Sequence, residues 1–211
     1  MSLDATIARI TQIETMFQPQ AAAAQTAPST GSTGTTFASS LQNAMMTSDA
    51  GSVAPVTSSG SDVASNIVQV ASSQIGQTEQ PPGSNDSPEI AAYRTATSGA
   101  VAGEPWCAYF VSWAAREAGE PLGAQGQGFG AVSDIWSWAQ QTGRAIPNGP
   151  GVVPAPGDLI VFGDEHVGIV KQVLPDGNIE TVEGNYNNQV SQVIRSPTEA
   201  TGYVRMGSPA L

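Results

Sequence analysis

Four residues carry the chemical content of this 211-residue sequence. They are Cys107, the only cysteine, His166, the only histidine, and the pair Glu183 and Asn185, two positions apart. A thiolate, an imidazole beside it and a side chain that orients the imidazole are the parts of a cysteine nucleophile site. Cys107 lies in the stretch Glu104 to Gly119, which reads as a helix whose first turn holds the thiol. Pro105 suits a first-turn position, where no amide hydrogen is needed, and Gly119 suits the stop. Cys107, Phe110, Val111, Ala114 and Ala118 recur at helical spacing, so that face is expected to be buried. Unpaired amide hydrogens and the positive end of the helix dipole favour the thiolate there.

His166 opens a predicted strand, His166 to Val173. Alternation puts His166, Gly168 and Val170 on one face, with Val167 and Ile169 on the other. Gly168 leaves room for another group to come close. If the next strand stays extended through Glu183-Gly184-Asn185, both polar side chains point the same way. One would orient the imidazole and the other donate to a developing oxyanion, and the residues alone leave open which does which. Each position also has a plain reading. A single buried helix cysteine is most often a small core residue, a strand-end histidine is more often a surface residue, and Glu183-Gly184-Asn185 would serve as a turn. The four tryptophans suit core or groove wall.

The elements that must position these groups follow a helices-then-strands order, the α+β pattern of an antiparallel sheet packed on helices. Predicted helices run from Asp62 as cap to Ile75 with Gly76 as stop, from Ser87 as cap over Pro88 to Thr97, over the Cys107 segment, and from Ala131 to Gln141. The glycine-rich loop 119–130 is expected to be a mobile rim, and 142–157 a Pro/Gly-rich connection. Strands are expected at 158–162, 166–173, 179–184, 190–195 and 203–206, with a turn at 175–178. The folded domain is expected over 62–211. Ahead of it, 18–61 has the Ala/Ser/Thr/Pro-rich composition of a disordered linker. Residues 1–17 have Leu3, Ile7, Ile10, Ile13 and Phe17 on one stripe, an amphipathic helix suited to docking on a protein partner.

The net charge of −11 argues against binding nucleic acid or anionic lipid through a basic face. No apolar run reaches membrane-spanning length. One Cys and one His cannot build a Cys/His zinc site, and no cofactor is expected. The N-terminus lacks the basic and apolar regions of a cleaved secretory signal, so work outside the cytoplasm would require another export route, with the protein cytoplasmic until release.

The segments Pro105-Trp106-Cys107-Ala108-Tyr109-Phe110-Val111-Ser112-Trp113, Pro156-Gly157-Asp158-Leu159-Ile160-Val161-Phe162, His166-Val167-Gly168-Ile169-Val170 and Val182-Glu183-Gly184-Asn185 together resemble the CHAP family of cysteine- and histidine-dependent amidohydrolases and peptidases. The match runs over roughly 63–207. The resemblance implies a papain-like (NlpC-type) α+β fold and cleavage of amide bonds in bacterial peptidoglycan, by an endopeptidase or an N-acetylmuramoyl-L-alanine amidase. It makes Cys107 the nucleophile and His166 the general base, with Glu183 orienting His166 and Asn185 aiding the oxyanion or sharing the orienting role. Some members bind calcium just ahead of the cysteine; Ser98 to Trp106 offers only Glu104, so no metal site is expected. The loops 119–130 and 142–157 would line the groove. The Ile-rich start, the linker and an "FAxxLxxA" segment resemble flagellum-associated wall hydrolases, which implies export or flagellar machinery as the partner of the 1–17 helix. Two alternatives stand beside this reading: a non-catalytic wall-binding or assembly module, and a cysteine amidohydrolase acting as a phage or interbacterial lysis effector.

Overall fold

The computed structural model describes residues 60–207, which lie in one compact unit. The expected N-terminal helix over 1–17 and the linker, apart from its last two residues, lie outside the described residues. Four helices come first: α1 (Gly60–Ser72), α2 (Pro88–Arg94), α3 (Cys107–Glu117) and α4 (Val132–Gln141). Six strands complete the unit: β1 (Ala145–Pro147), β2 (Leu159–Phe162), β3 (His166–Val173), β4 (Ile179–Tyr186), β5 (Gln189–Arg195) and β6 (Gly202–Val204). They form one antiparallel sheet in the order β1-β6-β2-β3-β4-β5. This is the expected α+β architecture of helices packed on an antiparallel sheet.

The helix ends differ from the expected ones by a few residues, for local reasons. Helix α1 starts at Gly60, so Asp62 falls inside its first turn. It ends at Ser72, and turns carry the chain on to Gly76, whose φ of +93° suits a residue without a Cβ. Ser87 caps α2 as expected, its hydroxyl accepting from the Ile90 amide at 3.1 Å with Pro88 at the first position, but the helix stops at Arg94. In α3 the cap is Trp106, and Cys107 is the first helical residue, so Pro105 lies just outside the helix. Gly119 follows the C-cap with φ +89°.

Helix α3 is the centre of the core. The expected face is buried, and so are Ala108, Tyr109, Ser112 and Ala115, because the helix is covered on more than one side. Its inner face meets Val167, Ile169 and Val182 of the sheet in one apolar cluster. Full burial of Phe110 and Val111 contributes roughly 1.5–3 kcal/mol each. The sheet comes close to the helix at Gly184, where a Cβ would fall 2.6 Å from Phe110 Cβ. The other sheet face carries a second, smaller cluster built on Ile160, Val170, Ile179 and Tyr203.

The glycine-rich loop 119–130 is tied down rather than loose. The Ser112 hydroxyl accepts from the Phe129 amide at 3.0 Å and lies 3.2 Å from the Phe129 carbonyl, Ser98 N–H donates to the Gln127 carbonyl, and Leu122 is fully buried. The connection 142–157 is not all irregular: β1 pairs with β6 from Ala145↔Val204 to Pro147↔Gly202.

Candidate active site

Cys107 stands at the N-terminus of α3, the end where backbone amides lack intrahelical acceptors. What fixes this end is a buried carboxylate. Glu79, 2% exposed, accepts from the Trp106 indole Nε1 at 3.0 Å and from the Asn85 amide at 3.0 Å. Trp106 in turn packs against Tyr93 and Phe110. The thiol is almost wholly buried and its Sγ lies 4.0 Å from the Glu165 carbonyl, immediately before His166.

His166 is the first residue of β3 and pairs with Phe162 of β2, on whose ring its imidazole stacks at 5.8 Å. Its Nε2 is 2.8 Å from Glu183 Oε2. The ring also interacts with the Cys107 side chain, and Nδ1 is the nitrogen left for that side. Burial pulls the imidazole's pKa down. Hydrogen bonding to Cys107 and Glu183, and their negative charge, outweigh burial and lift it to about 9. At neutral pH the arrangement therefore favours the imidazolium form of His166.

Glu183 lies on the sheet face turned away from the helices, in register with the strand pairs Val170↔Thr181 and Ile169↔Val182. Gly168 makes its place: a Cβ there would come within 2.7 Å of Glu183 Cγ. The space expected beside His166 is thus used by a carboxylate. Its side chain is 0% exposed and holds four donors. Oε2 takes His166 Nε2 and Arg195 Nη2 (2.6 Å), and Oε1 takes Arg195 Nε (2.8 Å) and the Thr181 hydroxyl (2.6 Å). Burial raises the carboxyl's pKa, but the bonds from Arg195, His166 and Thr181 overcome it and hold the group at about 2.

Asn185 is where the sequence-based expectation fails. The register between β4 and β5 shifts between Glu183 and Tyr186, and Asn185 takes φ +61°. The strand is not extended there, so the alternation that would have carried Asn185 to Glu183's face is broken. The side chain hydrogen-bonded to His166 is that of Glu183.

The cleft at Cys107 has a volume of about 440 Å³. Its walls are Glu104 and Pro105 ahead of the helix, Tyr109 on it, residues 130–132 and the turn residues Asp164 and Glu165. The end of the glycine-rich loop borders it as expected, whereas residues 142–157 do not. The structure thus brings together Cys107, His166 and Glu183, and leaves Asn185 aside. Arg195, Thr181 and Glu79 were not singled out from the sequence. A basic residue twelve positions after Glu183, on the next strand, was the only signal for Arg195.

No curated protein matches this chain. One solved structure, of a mutated form of the resuscitation promoting factor interacting protein RipA, is similar at 20% identity, covering 75% of this chain and 68% of that one with a TM-score of 0.42. Residues 99–185 match the family model described as the CHAP domain, a stretch that includes Cys107, His166, Glu183 and Asn185. The four short motifs that carry the resemblance all fall within the stretch, 99–185, over which the chain matches the CHAP domain.

Proposed function

We propose that this protein is a peptidoglycan hydrolase that cleaves amide bonds by acyl transfer through Cys107. The observation that carries the reading is the His166 ring, which bonds Glu183 through Nε2 and interacts with Cys107, itself a residue of the cleft wall. The CHAP match supports the wall as the source of the amide.

In this reading a peptide carbonyl enters the cleft and the Cys107 thiolate attacks its carbon. A C–S bond forms and the carbonyl electron pair moves to oxygen. The Cys107 backbone N–H, first in its helix, is the donor placed to meet that charge. Collapse of the tetrahedral species breaks the C–N bond, and His166 gives its proton to the departing amine. Water then attacks the thioester as His166 takes its proton. The C–S bond breaks, a carboxylate product leaves, and the thiolate–imidazolium pair returns. Glu183 holds the imidazole in one orientation and stabilises its charged form throughout. Stem-peptide or cross-bridge amides and the lactyl-alanine amide all suit this chemistry. The substrate places the enzyme's work at the cell wall.

The test is clearing of purified cell walls. Wild-type protein lowers their turbidity, and Cys107→Ala, folded by circular dichroism, does not. Equal clearing by the two would refute the assignment of Cys107.

A further inference from the structure

We propose that Arg195 is a positioning residue of this site, which fixes the plane of the Glu183 carboxylate and remains its counterion when His166 gives up its proton. The proposal rests on the catalytic reading above.

A planar guanidinium bonds a carboxylate through two parallel N–H groups and thereby sets its orientation. Arg195 does this side-on, through Nε to Oε1 and Nη2 to Oε2. The guanidinium is itself held. Its carbon lies 4.7 Å over the Phe162 ring and 4.9 Å over the Tyr186 ring, and Nη1 reaches Glu199 Oε2 at 3.3 Å. Glu199 is fixed by accepting from the Ser196 amide at 2.8 Å in the capping box of the 3-10 turn Pro197–Glu199. Phe162 also stacks on His166, so one ring braces both cations that Glu183 binds.

The need for such a group follows from the reaction. Glu183 is wholly buried, and a buried carboxylate without a cation takes up a proton. His166 serves as its cation only while it is imidazolium. After His166 protonates the leaving amine, it is neutral until water is deprotonated. Arg195 carries Glu183 through that interval, so the acceptor on Nε2 stays ionised and in place. The charged and titratable groups around Glu183 are His166 from β3 and Arg195 from β5. Beyond them stand Glu199 and Tyr186 around Arg195, and Cys107 across His166.

A structural strut tying β5 to β4 would use the same contacts, and a double-mutant cycle separates the two. Measured are kcat/KM for wall hydrolysis, and its pH profile, in Glu183→Gln, Arg195→Met, the double variant and Arg195→Lys. If Arg195 acts through Glu183, Arg195→Met lowers the rate by about 10- to 100-fold and adds nothing in the Glu183→Gln background. The acidic limb of the Arg195→Met profile moves to higher pH, because burial now acts on Glu183 without its main opposing bonds. That limb stays put in the double variant. Arg195→Lys, which keeps the charge and loses the fork, restores the limb and only part of the rate. An equal fractional loss in the Glu183→Gln background, or an unmoved limb, overturns the proposal. If Arg195→Met does not fold, the same cycle is run with Arg195→Lys, with and without Glu183→Gln, and is read by the same criterion of coupling. Activity retained in Cys107→Ala would overturn the catalytic reading and this proposal together, whereas an inactive Cys107→Ala with no coupling overturns this one alone.

Discussion

Replacing Glu183 by Gln should lower the pKa of His166 and make the catalytic defect grow with pH. Glutamine keeps the shape and an acceptor but removes the charge. In the intact site Cys107 and Glu183 both pull the imidazole upward against burial, to about 9 from the ordinary 6.5. That gap corresponds to ~3 kcal/mol of preference for imidazolium, held jointly by a coupled set of groups. Losing about three-fifths of it would leave His166 at ~7.5. At pH 8 the imidazolium fraction then falls from about 90% to about a quarter, and at pH 9 from about a half to about 3%. The titration alone therefore costs ~4-fold at pH 8 and more than ~10-fold at pH 9, on top of a pH-independent loss of about 10²-fold from lost orientation. Because the chain has one histidine, its imidazole Cε1–H resonance reports this directly. Wild type should titrate near 9 and Glu183→Gln well below it, with the alkaline limb of kcat/KM following. An unchanged midpoint in Glu183→Gln, or a wild-type midpoint at the ordinary value, would refute the charge balance drawn here.

Gly168→Ala should remove most activity with a folded protein remaining. Its Cβ would press on Glu183 Cγ, which is pinned by its carboxylate bonds and cannot swing away; a cost of about 1–3 kcal/mol in denaturant melts and a loss of at least ~10-fold in kcat are expected. Glu79→Ala strips the acceptor from the buried Trp106 indole and the Asn85 amide, so urea unfolding should show a loss of roughly 2–4 kcal/mol. Stability should be greatest between about pH 4.5 and 6.5. Glu183, held below its ordinary 4.5, contributes above that value and loses its contribution as pH falls toward 2, whereas His166, raised, contributes below 6.5 and loses it as pH rises through about 9. Thermal melts across pH 3–10 check this, and a maximum above pH 9 would contradict it.

Much of the site was legible because its parts are local. A proline and a glycine bracket the Cys107 segment and the apolar spacing marks its face, so only the helix start moved, by two residues. Strand alternation gave β3 its observed bounds, His166–Val173, and placed Gly168 beside His166. Glu183 was identified with its neighbour Asn185, but their assumed common direction needed an extended backbone. A left-handed residue inside a strand pattern leaves no period to read, so the bulge at Asn185 stayed hidden. Arg195 and Glu79 were missed for another reason. Their partners lie 12 and 27 residues away, and the contact depends on strand register or loop path rather than on spacing along one element. Strand β1 was missed because its three residues sit in a Pro/Gly-rich stretch and pair only through β6.

The central claim is that Cys107 and His166 cut an amide of the cell wall. Mass spectrometry of fragments released from purified peptidoglycan tests it most directly. Wild-type protein should release fragments bearing a new carboxylate and a new amine at one kind of amide bond, and Cys107→Ala and His166→Ala should release none. Intact peptidoglycan after incubation with wild type, or the same fragments from Cys107→Ala, would contradict the account.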